Sequence, residues 1–242
     1  GTELANLFNI LYICSNPLIE KTPEVISLMV ELAGWSKVGR LHLFMLAAYT
    51  LIETGMESRR SKFAEITRTS CSENPTSLPL VTLLAYILNN GIDAVDKEHQ
   101  DEFVEAYAPN LASADDTLRG ETIVLFSKMT GKAQAQALFA RMLEVSNARM
   151  NAKKSEFARL QIQQMESFVQ TLETSSAAEK KSLVSVVTYC SLGVQKMNLT
   201  PIWESAQTLF SACSRQHGSV AWDILRLELM ACITRIRERN QE

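Results

Sequence analysis

A chain of 242 residues with 46% hydrophobic content is long enough for one or two packed domains or a continuous repeat array. Its nine glycines and six prolines are few beside abundant Ala, Leu, Glu, Gln and Met, which argues against strand-rich architectures. With 24 basic against 27 acidic residues and a pI near 5.8, it lacks the overall positive field that draws proteins to nucleic acid or anionic lipid, so any such contact must be local.

The first expected helix carries Leu4, Leu7, Phe8 and Leu11 on one face and ends at Asn16-Pro17. Thr22-Pro23-Glu24 opens the next, with Thr as cap and Pro at the first helical position, and its stripe is Val25, Leu28, Met29 and Leu32. After Gly34 a third segment places Val38, Leu41, Met45, Ala48 and Ile52 at heptad-like spacing, and a short helix around Phe63 and Ile66 follows. Asn74-Pro75 starts a turn, after which Leu78, Val81, Leu84, Ala85 and Leu88 form a stripe closed by Asn89-Asn90-Gly91.

From Lys97 to Ala108 the chain is acidic, with Phe103, Val104 and Tyr107 expected inward and Pro109-Asn110 as the stop. Ser113-Ala114-Asp115-Asp116 has the pattern of a capping box and leads into Leu118, Leu125, Phe126 and Met129. Gly131 separates this helix from an alanine-rich one over 132–146, and the polar stretch 147–155 is the candidate mobile connection. Ala158, Ile162, Met165, Val169 and Leu172 mark one helix; Ser176-Ala177-Ala178-Glu179 caps another, with the stripe Leu183, Val186, Val187, Cys190, Val194 and Met197. Asn198-Leu199-Thr200 is a formal glycosylation acceptor, but Thr200 reads more simply as the cap before Pro201.

Two tryptophan helices close the chain, around Trp203 and Trp222, and echo one another at about the length of a helix and turn. In all, about a dozen helices pair into about six hairpins of roughly 40 residues, the period of HEAT-like units. Wide stripes, as in Leu183 to Met197 and Val220 to Ile236, suit helices buried on two sides. The expected fold is therefore all-α: an α-solenoid of helical hairpins over 1–242, a single segment of a longer superhelix. A globular helical bundle is the alternative.

Asp115-Asp116-Thr117-Leu118-Arg119 before an apolar helix resembles the start of the inner helix in the HEAT-repeat family, and Lys37-Val38-Gly39-Arg40-Leu41 is a looser copy without the acid. In that family the acid and the base form a ladder between units. The helix over 77–89 lacks the basic residue, and the C-terminal half shows no clear copy. The run Phe103-Val104 through Asn110-Leu111, then Leu118-Arg119 and Leu125-Phe126, with the final tryptophan pair, is also similar to the small-nucleolar-RNA-associated HEAT scaffolds of the small-subunit processome. That resemblance implies a nucleolar scaffold without catalysis of its own, whose partners are proteins of a large assembly and pre-ribosomal RNA.

No motif for nucleotide or calcium binding occurs, and no strained turn presents a nucleophile to His42, His99 or His217. No catalytic residue, cofactor or small-molecule substrate is expected. Cys213 and His217 stand one helical turn apart and Cys232 lies on the next helix, but a zinc site wants a fourth ligand, so Cys213 reads as core and His217 as a helix-end residue favoured by the dipole. The five cysteines, Cys14, Cys71, Cys190, Cys213 and Cys232, are odd in number and widely spaced, which points to a reducing compartment. No run reaches the roughly 18 apolar residues of a membrane span, so no membrane partner is expected.

Local basic clusters remain: Arg59, Arg60 and Lys62 in a turn, Arg149, Lys153 and Lys154 in the polar connection, and Arg235, Arg237 and Arg239 at the end. The first and last sets are the candidate RNA phosphate contacts, against the ordinary reading of solvated faces. Trp35, Trp203 and Trp222 are expected in the core rather than free to stack on bases. A peptide- or cargo-binding adaptor of the nuclear-transport or vesicle type is the competing function, and a helical enzyme the third.

Overall fold

The computed structural model describes residues 75–89, 100–128, 133–148, 155–172, 177–197 and 199–239. Among them the chain is all-α, with eight α-helices: α1 (Leu78–Asn89), α2 (Gln100–Tyr107), α3 (Asp116–Lys128), α4 (Ala133–Ala148), α5 (Ser155–Gln170), α6 (Ala177–Lys196), α7 (Trp203–Gln216) and α8 (Gly218–Arg239). Short 3₁₀ turns, Ala108–Ala112 and Thr200–Ile202, precede α3 and α7. The helices expected before residue 74 and most of the connection over 147–155 lie outside the described residues.

The described residues divide into two compact units, one holding 75–89 with 124–128 and the other holding the rest. In the first, the carbonyl of Ser77 accepts from the amides of Leu80 and Val81 and opens α1. Leu80, Val81, Leu84 and Ala85 are then buried, as the period-3.6 stripe requires.

In the second unit α2 ends where Pro109 enters, since proline has no amide to continue the ladder. The chain does not straighten there, however. Proline tolerates the first positions of a new turn, so residues 108–112 wind on as a 3₁₀ helix and bury Ala108, Asn110, Leu111 and Ala112. The start of α3 also departs from the expected capping box. Asp115 is the cap, its Oδ1 accepting from the amides of Thr117 at 2.8 Å and Leu118 at 3.3 Å, while Ser113 Oγ accepts from the Asp115 amide at 3.1 Å. The carboxylate is the stronger acceptor at a helix N-terminus, so the serine supports the cap instead of forming it.

Helices α4 and α5 pack together, as do α6 and α7, and the two pairs meet where α5 packs on α7. A half-turn stitch joins them: Arg159 of α5 donates from Nε to the carbonyl of Pro201 at 2.9 Å. Thr200 is not the side-chain cap that the sequence suggested; it opens the 3₁₀ turn, exposed and with no capping hydrogen bond from the residue before it. Trp203 Nε1 donates to the carbonyl of Met197 at 3.0 Å and closes the corner between α6 and α7.

The centre of this unit is α6. It packs against α2, the 108–112 turn, α7 and α8. The contact with α2 and its turn skips the three helices between them in sequence. Residues 182–191 are buried without interruption. The sequence helps by supplying small side chains there, and their hydroxyls are satisfied inside the helix: Ser185 donates to the Lys181 carbonyl, Thr188 to that of Val184, and Ser191 to that of Thr188, all at 2.7 to 2.9 Å. Close approach is extreme at Gly193, where an added Cβ would lie 1.9 Å from the Leu111 carbonyl oxygen.

Candidate interaction surface

Arg119 is buried, and it turns back onto its own corner: Nη2 pairs with Asp116 and Nη1 donates to the Ser113 carbonyl. Its other side lines a shallow, small pocket with Leu111, Met142, Cys190, Gly193 and Met197. The lining is mainly apolar, with Arg119 and Ser146 as its polar contributors.

Lys196, at the end of α6, reaches two segments far from it in sequence. Its Nζ donates to the Ala112 carbonyl and pairs with Glu228 of α8 at 2.7 Å. Glu228 also faces Tyr189, whose phenol is held above its ordinary range by burial and by that carboxylate. Neither residue was singled out in the sequence, because two charges 32 positions apart give no local pattern.

Two of the described cysteines, Cys190 and Cys213, are buried side by side with their thiols held in the protonated form. Burial pushes the Cys190 thiol up to about 12, with neighbouring Cys213 adding to the rise, and pushes Cys213 up to about 11 against a lowering influence of the neighbouring Thr188 side chain. Cys232 is half-buried and free, and accepts from Arg235 Nη2 at 3.2 Å. Among the described residues no group of three or more His, Cys, Asp or Glu is placed to hold a metal ion. His217 is the single residue between α7 and α8, its amide donating to the Cys213 carbonyl at 2.8 Å. Its charged form is disfavoured: desolvation by burial and the nearby Lys180 both lower its pKa.

Of the candidate phosphate contacts, Arg59, Arg60 and Lys62 lie outside the described residues, as do Arg149, Lys153 and Lys154. Arg235 is exposed but turned along its own helix, donating from Nε to the Ala231 carbonyl at 3.3 Å. Arg237 is exposed about 200° further round, so the two point to different sides. Arg239 is the last residue of α8. Arg235 and Arg237 therefore stand on different sides of the helix.

The tryptophan expectation is corrected by the structure. Trp203 is 38% exposed and Trp222 61% exposed, so neither is core; Trp35 lies outside the described residues. The wide stripe of α8 is likewise buried on one side only. Ala221 and Ile224 face the unit, whereas Leu227, Leu229, Met230, Ile233 and Ile236 are exposed. Apolar residues all round a helix show that two faces seek cover, and here the packing of α6 and α7 supplies one. Among the described residues no helix is long and apolar enough to cross a membrane.

Comparison with protein-family models, with curated proteins and with solved structures found no match to this chain.

Proposed function

We propose that the chain is a non-catalytic helical scaffold that presents an extended surface to protein partners. The observation that carries this reading is α8: one face is packed and tied by Glu228 to Lys196, and the other sets five large apolar side chains and Trp222 in the open. Exposed apolar area of that kind is the signature of a recognition surface.

Successive packing of α4, α5, α7 and α6 supports a HEAT-like stack for this part of the chain, and the jump from α6 to α2 is where such a stack would be capped or folded back. The setting we propose is small-subunit processome assembly in the nucleolus, a reading supported by the resemblance along 103–126 and in the final pair of tryptophan helices. Protein contact is favoured over direct RNA contact, because Arg235 and Arg237 do not converge. The test is crosslinking of the protein in cells followed by identification of what it holds. Proteins bound to nascent pre-ribosomal RNA are the expected catch; co-purification with transport receptors or coat components instead would favour the cargo-adaptor reading.

A further inference from the structure

The open side of α8 has an order of its own. Trp222, Leu229 and Ile236 are seven residues apart, and Ile233 lies between the last two at a spacing of four and three. This is the a/d seam of a coiled-coil helix. All four are exposed, from 41% to 61%. The remaining seam position is Arg226, and Arg237 lies beside Ile233 and Ile236 on the same side. Both arginines are exposed. Of the helix's three acids, Glu228 and Glu238 are about 120° or more round from Trp222, and Glu228 is already paired with Lys196; Asp223 stands about 100° round from Trp222, on the same side as Arg226.

We propose that this seam docks a partner helix that is amphipathic and acidic, with apolar residues at a and d and carboxylates facing Arg226 and Arg237. The apolar rows supply the area, and the arginines select the partner. A second copy of α8 laid parallel on the first would set Arg226 against Arg226, and a basic helix would meet both arginines with like charge. An acidic helix instead forms charge-assisted pairs along the one edge of the apolar row where both arginines stand. Arginine also carries an apolar stem, so a seam position costs less with Arg than with a bare point charge. The inference rests on the scaffold reading only in needing this face of α8 for a protein partner, and not on the processome setting.

The test uses the 242-residue chain and two synthetic helical peptides of about three heptads, each with leucine at a and d. One carries glutamate at the flanking positions and opposite Arg226; the other has lysine at those places. Trp222 reports binding directly. The acidic peptide is expected to shift its emission to the blue, with no such shift in Trp222→Phe. The double variant Arg226→Glu, Arg237→Glu should weaken the acidic peptide by about tenfold or more and turn preference toward the lysine peptide. Ile233→Asp should abolish binding of both, while the far-ultraviolet circular dichroism of each variant confirms that the helices persist. Equal binding of the two peptides, no change at Trp222, or a concentration-dependent dimer of the chain that Ile233→Asp breaks would each overturn the proposal. None of these outcomes depends on whether the protein crosslinks to pre-ribosomal particles, so failure here and failure of the processome setting are distinguishable.

Discussion

A methyl group at position 193 would sit 1.9 Å from the carbonyl oxygen of Leu111 and 3.1 Å from Cδ of Arg119. Backbone cannot give way as a side-chain tip can, so Gly193→Ala should force α6 off the 108–112 turn and cost about 1 to 3 kcal/mol, read from the midpoint of urea unfolding. Gly120 is the contrast. It lies inside α3, and its added Cβ would meet only Ser146 Oγ at 3.9 Å, so Gly120→Ala should stabilise by about 0.5 to 1 kcal/mol through helix propensity. His217 gives a pH dependence of known sign. Its folded pKa lies below the ordinary value of 6.5, so the unfolded chain takes up the proton first. The stability it supports is whole above about pH 6.5 and declines as the solution is acidified through that value. Melting temperatures between pH 7.5 and 5.5 should fall less steeply in His217→Gln than in the parent chain.

At the scale of the element, legibility followed how each helix buries itself. The inward face of α5 was fully readable, because Ala158, Ile162, Met165 and Val169 keep strict helical spacing, although Phe157 and Leu160 stand exposed outside that stripe. Only half of α6 was readable. Its apolar stripe was correct, but Ser182, Ser185, Thr188 and Ser191 are also buried, and the last three, whose hydroxyls bond their own helix, leave no apolar signal. For α8 the pattern was read correctly and its meaning was not, since a helix with two apolar faces looks the same whether the second cover belongs to the chain or to a partner. The tie at Lys196 was invisible for another reason: it joins three segments by sequence-distant contacts. Lys196→Met keeps the stem and removes the ammonium. It should cost about 1 kcal/mol, the modest scale of a partly exposed pair, and loosen α8, measured as faster proteolysis near its C-terminal half.

For the molecule as a whole, composition alone pointed to an all-α chain and excluded a general positive field, and the candidate site was the part least legible. Basic residues adjacent in sequence suggested patches, yet Arg235 and Arg237 diverge because two residues on a helix are about 200° apart. The surface that emerged instead, on α8, depends on which face the neighbours happen to cover. That choice is made by tertiary packing, and packing is written in contacts such as α6 against the 108–112 turn, where residues far apart in sequence meet.

The ten residues from Ser182 to Ser191 touch almost no water, although their bonds to one another are those of any helix. Amide protons there can leave only when α2, α7 and α8 have all let go, so they should be the slowest in this unit to exchange with deuterium, and they should exchange together. The outer turns of α8 should exchange long before. A molecule so arranged keeps a fixed keel while its rim breathes, and a binding partner at the rim would slow the outer protons without altering the keel's own clock.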